Sequence, residues 1–275
     1  VKQRMNEKGF DMLICQDPAN MCWLTGFDGW SFYTPQAVLV LLSEEWPIWF
    51  GRARDAKSAS ITTDIPETNI ISFSEPLVHH DNLHPFDELC DYIKLRKWEQ
   101  NRIGVDFDAH YFTARAHKHL CVGLPNAKIS DNKELVNWAR LVKSDAEINL
   151  MKGAAEISQL GMKVAMESIN PGVRQCDVAA KIQYALLSGN DQFGGEYSGL
   201  TTILASGISA SASHLTPKDK KFIQGEGTII ELSGVKNRYH CPLSRTVYLG
   251  KPDQKTIDTM SITIEGVETA IMNIK

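Results

Sequence analysis

In the first third of the chain, apolar positions come as short continuous runs set between polar or helical stretches. Residues 37–42 and 47–50 are such runs, separated by Ser43, Glu44 and Glu45, which predicts two strands joined by a short turn. Residues 11–16, 68–73 and 102–105 read as further strands. Residues 1–10 predict a short polar helix closed by Gly9, and Asp17-Pro18 reads as a turn. Residues 85–95 carry apolar side chains at 86, 89, 93 and 95, close to helical spacing, and residues 109–120 predict another helix. Strands alternating with helices point to a mixed α/β domain.

The pattern changes near Asn132. Residues 133–143 and then 144–169 are helical, with Ser144 as N-cap and Glu147 three residues on, a capping box. Ile148, Met151, Ala154, Ile157, Leu160 and Val164 recur every three or four residues as one apolar stripe. Asn170-Pro171-Gly172 stops that helix. A second spans 176–188, with Gly189 just past its end. Strands follow at 201–205, 228–232 and 246–249, and a last helix at 254–274. The expected fold class is α+β, with a mixed α/β domain over 1–140 and a second domain over 141–275.

Composition narrows the function classes. Lys plus Arg is 29 and Asp plus Glu is 33, a net charge of −4, and the densest basic patch, 94–97, runs straight into Glu99. A duplex nucleic-acid binder would be basic with clustered cations, so no nucleic-acid partner is expected. The longest unbroken apolar stretch, 37–42, is far short of the ~20 residues of a membrane span. Six cysteines (15, 22, 90, 121, 176, 241) contain no C-x-x-C pair. They read as thiols of a reducing cytoplasm rather than a disulfide framework or zinc site.

Three segments carry candidate chemistry. The first is Ala205-Ser206-Gly207 followed by His214 and Pro217. The second is Gly227 through Glu231 to Gly234. The third runs from Tyr239 through His240, Cys241, Pro242, Leu243, Ser244 and Arg245 to Thr246. Taken singly each has a plain reading: a surface histidine, a solvated strand-end glutamate, a polar strand start. In order and spacing they resemble the pita-bread family of methionine aminopeptidases, prolidases and creatinases. There a strand ending Ala-Ser-Gly leads to an active-site His, and a hairpin reads Asp-x-Gly, then Gly-Tyr-x-Ser-Asp-x-Thr-Arg-Thr. The resemblance extends to 141–148 and to Ile169-Asn170-Pro171-Gly172. Residues 1–140 resemble the smaller N-terminal domain of creatinases and prolidases by order of elements.

The departures are as informative as the matches. In the metallopeptidases two hairpin Asp bind a metal pair. Here those positions are Glu231 and Pro242, and proline has no side-chain donor, so no dinuclear metal centre and no cofactor are expected. Creatinase, a metal-free branch, shares both features, which implies hydrolysis of a C–N bond in a cationic, delocalised substrate. The strings 20–33 and 238–246 resemble, within that branch, hydrolases of a cyclic amidine.

The resemblance implies His214 as proton carrier and Glu231 as partner of the amidinium, a planar cation that suits a carboxylate. Arg238 and Arg245 are candidates for a substrate carboxylate. Arg245 has a second reading as the structural partner of a neighbouring carboxylate. Tyr239, Trp30 and Phe32 are further substrate-binding candidates, the last two also readable as a packed aromatic turn. The alternatives are a creatinase-type guanidinium hydrolase, a metal-dependent Xaa-Pro peptidase or dimethylsulfoniopropionate lyase, and a non-catalytic binding module. The family implies a homodimer acting on a small molecule. It also implies a second pseudo-symmetric half with another His and two further Glu, so 141–275 is expected to be the first half of a catalytic domain.

Overall fold

The computed structural model describes residues 1–274, which divide into two compact units, 1–143 and 144–274. The first unit is built from α1 (Lys2–Lys8), β1 (Met12–Cys15), α2 (Pro18–Thr25), β2 (Ala37–Leu41), β3 (Ile48–Arg52), α3 (Ala56–Thr62) and β4 (Ile70–Phe73). It continues through α4 (Pro85–Leu95), β5 (Arg102–Val105), α5 (Ala114–Gly123), β6 (Lys128–Asp131) and α6 (Leu135–Ala139). Six strands form one sheet in the order β4-β3-β2-β1-β5-β6. Pairs β1–β2 and β2–β3 are antiparallel, and β1–β5, β5–β6 and β3–β4 are parallel.

Alternate residues of these strands enter two separate cores. Met12, Ile14, Leu39, Phe50, Phe73, Ile103 and Val105 pack against Phe86, Leu89 and Ile93 of α4 and Leu120 of α5. Leu13, Cys15, Val38, Val40 and Trp49 pack against Met5 of α1, Met21 of α2, Ala59 of α3 and Leu135 of α6. With helices on both faces, the central strands read as unbroken apolar runs rather than alternating ones.

Two sequence expectations are corrected here, and two elements are added to them. Asp17-Pro18 opens a helix instead of making a turn: Asp17 accepts the Asn20 N–H at 3.0 Å, and the proline occupies the first turn, where no N–H is needed. The helix expected from 109 begins at Ala114, where Thr113 caps it by accepting the Ala116 N–H. The polar segments α3 and β6 carry little apolar signal and are elements nonetheless.

The second unit comprises α7 (Asp145–Ser168), α8 (Gln175–Ser188), β7 (Ile203–Ser206), β8 (Gly227–Lys236), β9 (Tyr239–Tyr248) and α9 (Gln254–Asn273). The capping box holds: Glu147 N–H donates to Ser144 Oγ, and Ser144 N–H to Glu147 Oε2 at 2.7 Å. Strands order as β7-β8-β9, all antiparallel. Ile157, Met162 and Ala165 of α7 and Val178, Ile182 and Leu186 of α8 cover one face of this sheet through Leu204, Ile230 and Leu232. The hairpin is longer than the apolar pattern shows, because Ser233 to Lys236 and Tyr239 to Arg245 pair in full register despite their polarity. Among the described residues no helix is long and apolar enough to cross a membrane, and all six cysteines are free.

Candidate active site

Register fixes which residues share a face. Ile230, Leu232 and Gly234 of β8 face α7, together with their partners Arg245, Leu243 and Cys241 on β9. The alternate positions, Ile229, Glu231, Ser233 and Val235, face the other way with their partners Thr246, Ser244, Pro242 and His240. Ile203 and Ala205 of β7 join that second face as the partners of Glu231 and Ile229.

Glu231 is therefore flanked by Ile203 on one side and Ser244 on the other, neither of them charged. Its carboxylate is half-buried and makes no hydrogen bond or ion pair among the described residues. A carboxylate in this position has given up part of its hydration without receiving a protein partner, so it favours a cation from outside the sheet.

His214 lies on an exposed turn that follows β7 through the short 3-10 segment Gly207–Ser211. Its backbone is left-handed, φ 61°, a conformation uncommon outside glycine. His214 and Glu231 lie in the same unit, with no hydrogen bond or ion pair between them.

Other predicted residues are placed elsewhere. Arg245 leaves β9 toward α7 and lines a surface cleft of about 430 Å³ with Met162, Lys163, Met166, Glu167 and Leu243. The structure thus puts Arg245 and Glu231 on opposite faces. Arg238 sits in the two-residue turn Asn237-Arg238, whose φ values of 46° and 64° suit the twist of a tight hairpin. Its guanidinium donates to Glu196 Oε2 at 2.6 and 2.9 Å and to the Tyr197 carbonyl at 3.1 Å, and its centre lies 3.9 Å from the Tyr197 ring centroid. Hydrogen bonds from the backbone N–H groups of Arg238 and Asn237, and then from the guanidinium, hold the Glu196 carboxyl below its usual range against the opposing effect of burial. Tyr239 donates its hydroxyl to Glu147 Oε1 at 2.8 Å, tying β9 to the start of α7.

Trp30 and Phe32 are in the first unit. They form a cluster with Tyr33 and Tyr111, ring centroids 5.1 to 5.8 Å apart. Trp30 is 62% and Tyr33 58% exposed, so this is a surface cluster and not a packed turn of the core.

Two features escaped the sequence reading. Ser158 of α7 accepts the Gly234 N–H at 2.7 Å and offers its own proton to the carbonyls of Ala154 and Cys241. Glu196 sits 42 residues before Arg238. The only local sign of it is the Gly194-Gly195 pair, which breaks the chain just ahead of an acidic and an aromatic residue.

Residues 149–275 match the profile of metallopeptidase family M24, and residues 1–142 that of the creatinase/prolidase N-terminal domain. The chain belongs to family M24. It is 41% identical over 271 residues to an uncharacterised hydrolase/peptidase, y4tM, of Sinorhizobium fredii, covering 98% of this chain and 69% of the relative. It is 39% identical over 277 residues to an ectoine hydrolase of Halomonas elongata, with the same two coverages. The prolidase of Pyrococcus horikoshii superposes with a TM-score of 0.78 at 19% identity, over 98% of this chain and 69% of that one, which shows the shared fold. The M24 chain thus pairs a creatinase/prolidase N-terminal domain with pita-bread sequence.

The family name implies a metal, and of the two hairpin positions that are Asp in the metallopeptidases this chain resembles, one is Glu231 and the other is Pro242. Pro242 offers no donor atom on the face of Glu231, and among the described residues no group of three or more His, Cys, Asp or Glu could hold an ion.

Proposed function

We propose that this M24 protein hydrolyses an amidine C–N bond of ectoine, or of a closely similar cyclic amidine, without a metal. The observation that carries this reading is Glu231: a half-buried, unpartnered carboxylate on a face where its register neighbours are neutral. A planar N–C–N cation would supply what it lacks, charge and paired N–H donors. The 39% identity to an ectoine hydrolase supports the choice of amidine.

In this reading water adds to the amidinium carbon and gives a proton to His214. His214 returns that proton to the departing ring nitrogen as the C–N bond breaks, leaving an N-acetyl group on the other nitrogen and a free amine. The product from ectoine is N-acetyl-diaminobutyrate. Glu231 holds the cation while the carbon passes through its tetrahedral state. Arg238 and Arg245 are not the carboxylate-binding groups in this arrangement, since one is held by Glu196 and the other faces α7.

The test is direct. The protein is incubated with ectoine, creatine and a Xaa-Pro dipeptide, each with and without a strong chelator. Turnover of ectoine that survives chelation is expected. Turnover of creatine in its place, or chelator-sensitive release of proline, overturns the reading. Sedimentation of the active species decides whether it is the homodimer that the family resemblance implies.

A further inference from the structure

The segment between α8 and β7 wraps the tip of the β8–β9 hairpin from one face to the other. It starts on the α7 side, where the Phe193 ring lies 3.2 Å from Lys236 Nζ and against Gly153. At the tip it is held by Glu196 and Tyr197 on Arg238. It ends on the face of Glu231, where the Gly199 N–H donates to His240 Nε2 at 3.1 Å. Four residues later it enters β7, whose first residue, Ile203, is the register partner of Glu231. The same strand runs on to the turn bearing His214.

The partners of His240 assign its tautomer. A backbone N–H can only donate, so Nε2 carries the lone pair toward Gly199. A carbonyl can only accept, so Nδ1 carries the proton toward Arg238 O, 2.9 Å away. Both ring nitrogens are thereby used to join the hairpin to the incoming segment, and the ring is fixed in orientation.

We propose that His240 is a positioning residue for the amidine hydrolysis, and this rests on the function proposed above. It latches Gly199 to the hairpin and so sets where β7 and its continuation to His214 lie against Glu231. It makes no contact with the reacting atoms, and Arg238 serves the same latch rather than the substrate. One hydrogen bond at this site corresponds to about a tenfold effect on local opening.

The experiment compares His240→Ala and His240→Gln in the full chain. Glutamine keeps an acceptor near the position of Nε2. Amide exchange is followed for Gly199 and its neighbours, with kcat and KM for ectoine and a thermal melt. In His240→Ala, Gly199 exchange is expected to rise about tenfold and kcat to fall by a similar factor with KM within about threefold, while glutamine restores most of both. Unchanged Gly199 exchange in a folded His240→Ala protein overturns the latch. Equal loss of kcat in both variants, with exchange restored by glutamine, overturns the positioning role. If the wild type turns over no amidine, the function fails separately, and the exchange measurement alone decides the latch. An alanine variant that does not melt cooperatively leaves the glutamine variant, where loss of Gly199 protection overturns the proposal and its retention supports it.

Discussion

At the scale of single residues, Glu231 and His214 have different claims on the reaction. Glu231 is half-buried and has no hydrogen-bond or ion-pair partner among the described residues, while His214 has its place after β7 and a left-handed backbone. Removing a positioned proton carrier costs about 100-fold to 10,000-fold in rate. His214→Ala is therefore expected to lower kcat for ectoine by at least about 100-fold with the melting temperature unchanged, since an exposed side chain holds nothing in place. A kcat within tenfold of wild type removes it from the chemistry. Glu231→Gln, which keeps shape and loses charge, is expected to raise KM most for the cationic substrate.

A second residue-scale prediction concerns pH. Burial, reinforced by His119 and Arg115 beside it, pushes His84 down from 6.5 to about 4. Its Nδ1 accepts the Phe86 N–H at the start of α4, so the neutral ring is the capping form. The unfolded chain takes up this proton near pH 6.5 and the folded one only near 4, so stability is complete above that window and falls as pH drops through it. His84→Asn keeps a capping acceptor and removes the titration. Urea midpoints between pH 6.5 and 4 should slope less steeply for the variant, and equal slopes would assign the loss to neighbouring Asp87, whose carboxyl the fold holds below its usual range.

At the scale of elements, the second unit depends on close approach of α7 to β8. A Cβ on Gly234 would lie 2.6 Å from the Ser158 nitrogen and 2.8 Å from Ile157 Cβ, so Gly234→Ala forces the helix off the sheet. Ser158→Ala leaves the buried Gly234 N–H without its acceptor and should cost about 1–3 kcal/mol in chemical denaturation. A loss below measurement would mean that another acceptor takes the Gly234 N–H. Elements with a strong apolar pattern were legible in the sequence: α4 runs from Pro85 to Leu95 and β5 from Arg102 to Val105, as their periodicity predicts. The polar α3 buries Ala59 alone, and the hairpin gains its length from backbone pairing, so neither writes itself into hydrophobicity. The candidate site was legible as residue types and not as an arrangement. Which face Arg245 takes follows from register, and the partner of Arg238 lies 42 residues away.

At the scale of the whole molecule, the two units differ in how completely they bury themselves. The three apolar clusters are each confined to one unit: two, on opposite faces of the six-stranded sheet, in residues 1–143 and one in the second unit. In the second unit helices cover one face of a three-stranded sheet, and α9 buries none of its residues. Ile257, Met260, Ile264, Val267 and Ile271 recur along α9 at steps of three and four, all exposed. Such a stripe is an apolar face awaiting cover. Residues 1–143 expressed alone are therefore expected to unfold in one cooperative transition, as a domain of about 140 residues with its own core can. Residues 144–275 alone are expected to bind a hydrophobic dye and melt broadly. A sharp melt without dye binding from the second fragment would mean that α9 finds its cover within residues 144–275. A broad melt from the first would mean that its sheet depends on the rest of the chain despite a core on each face.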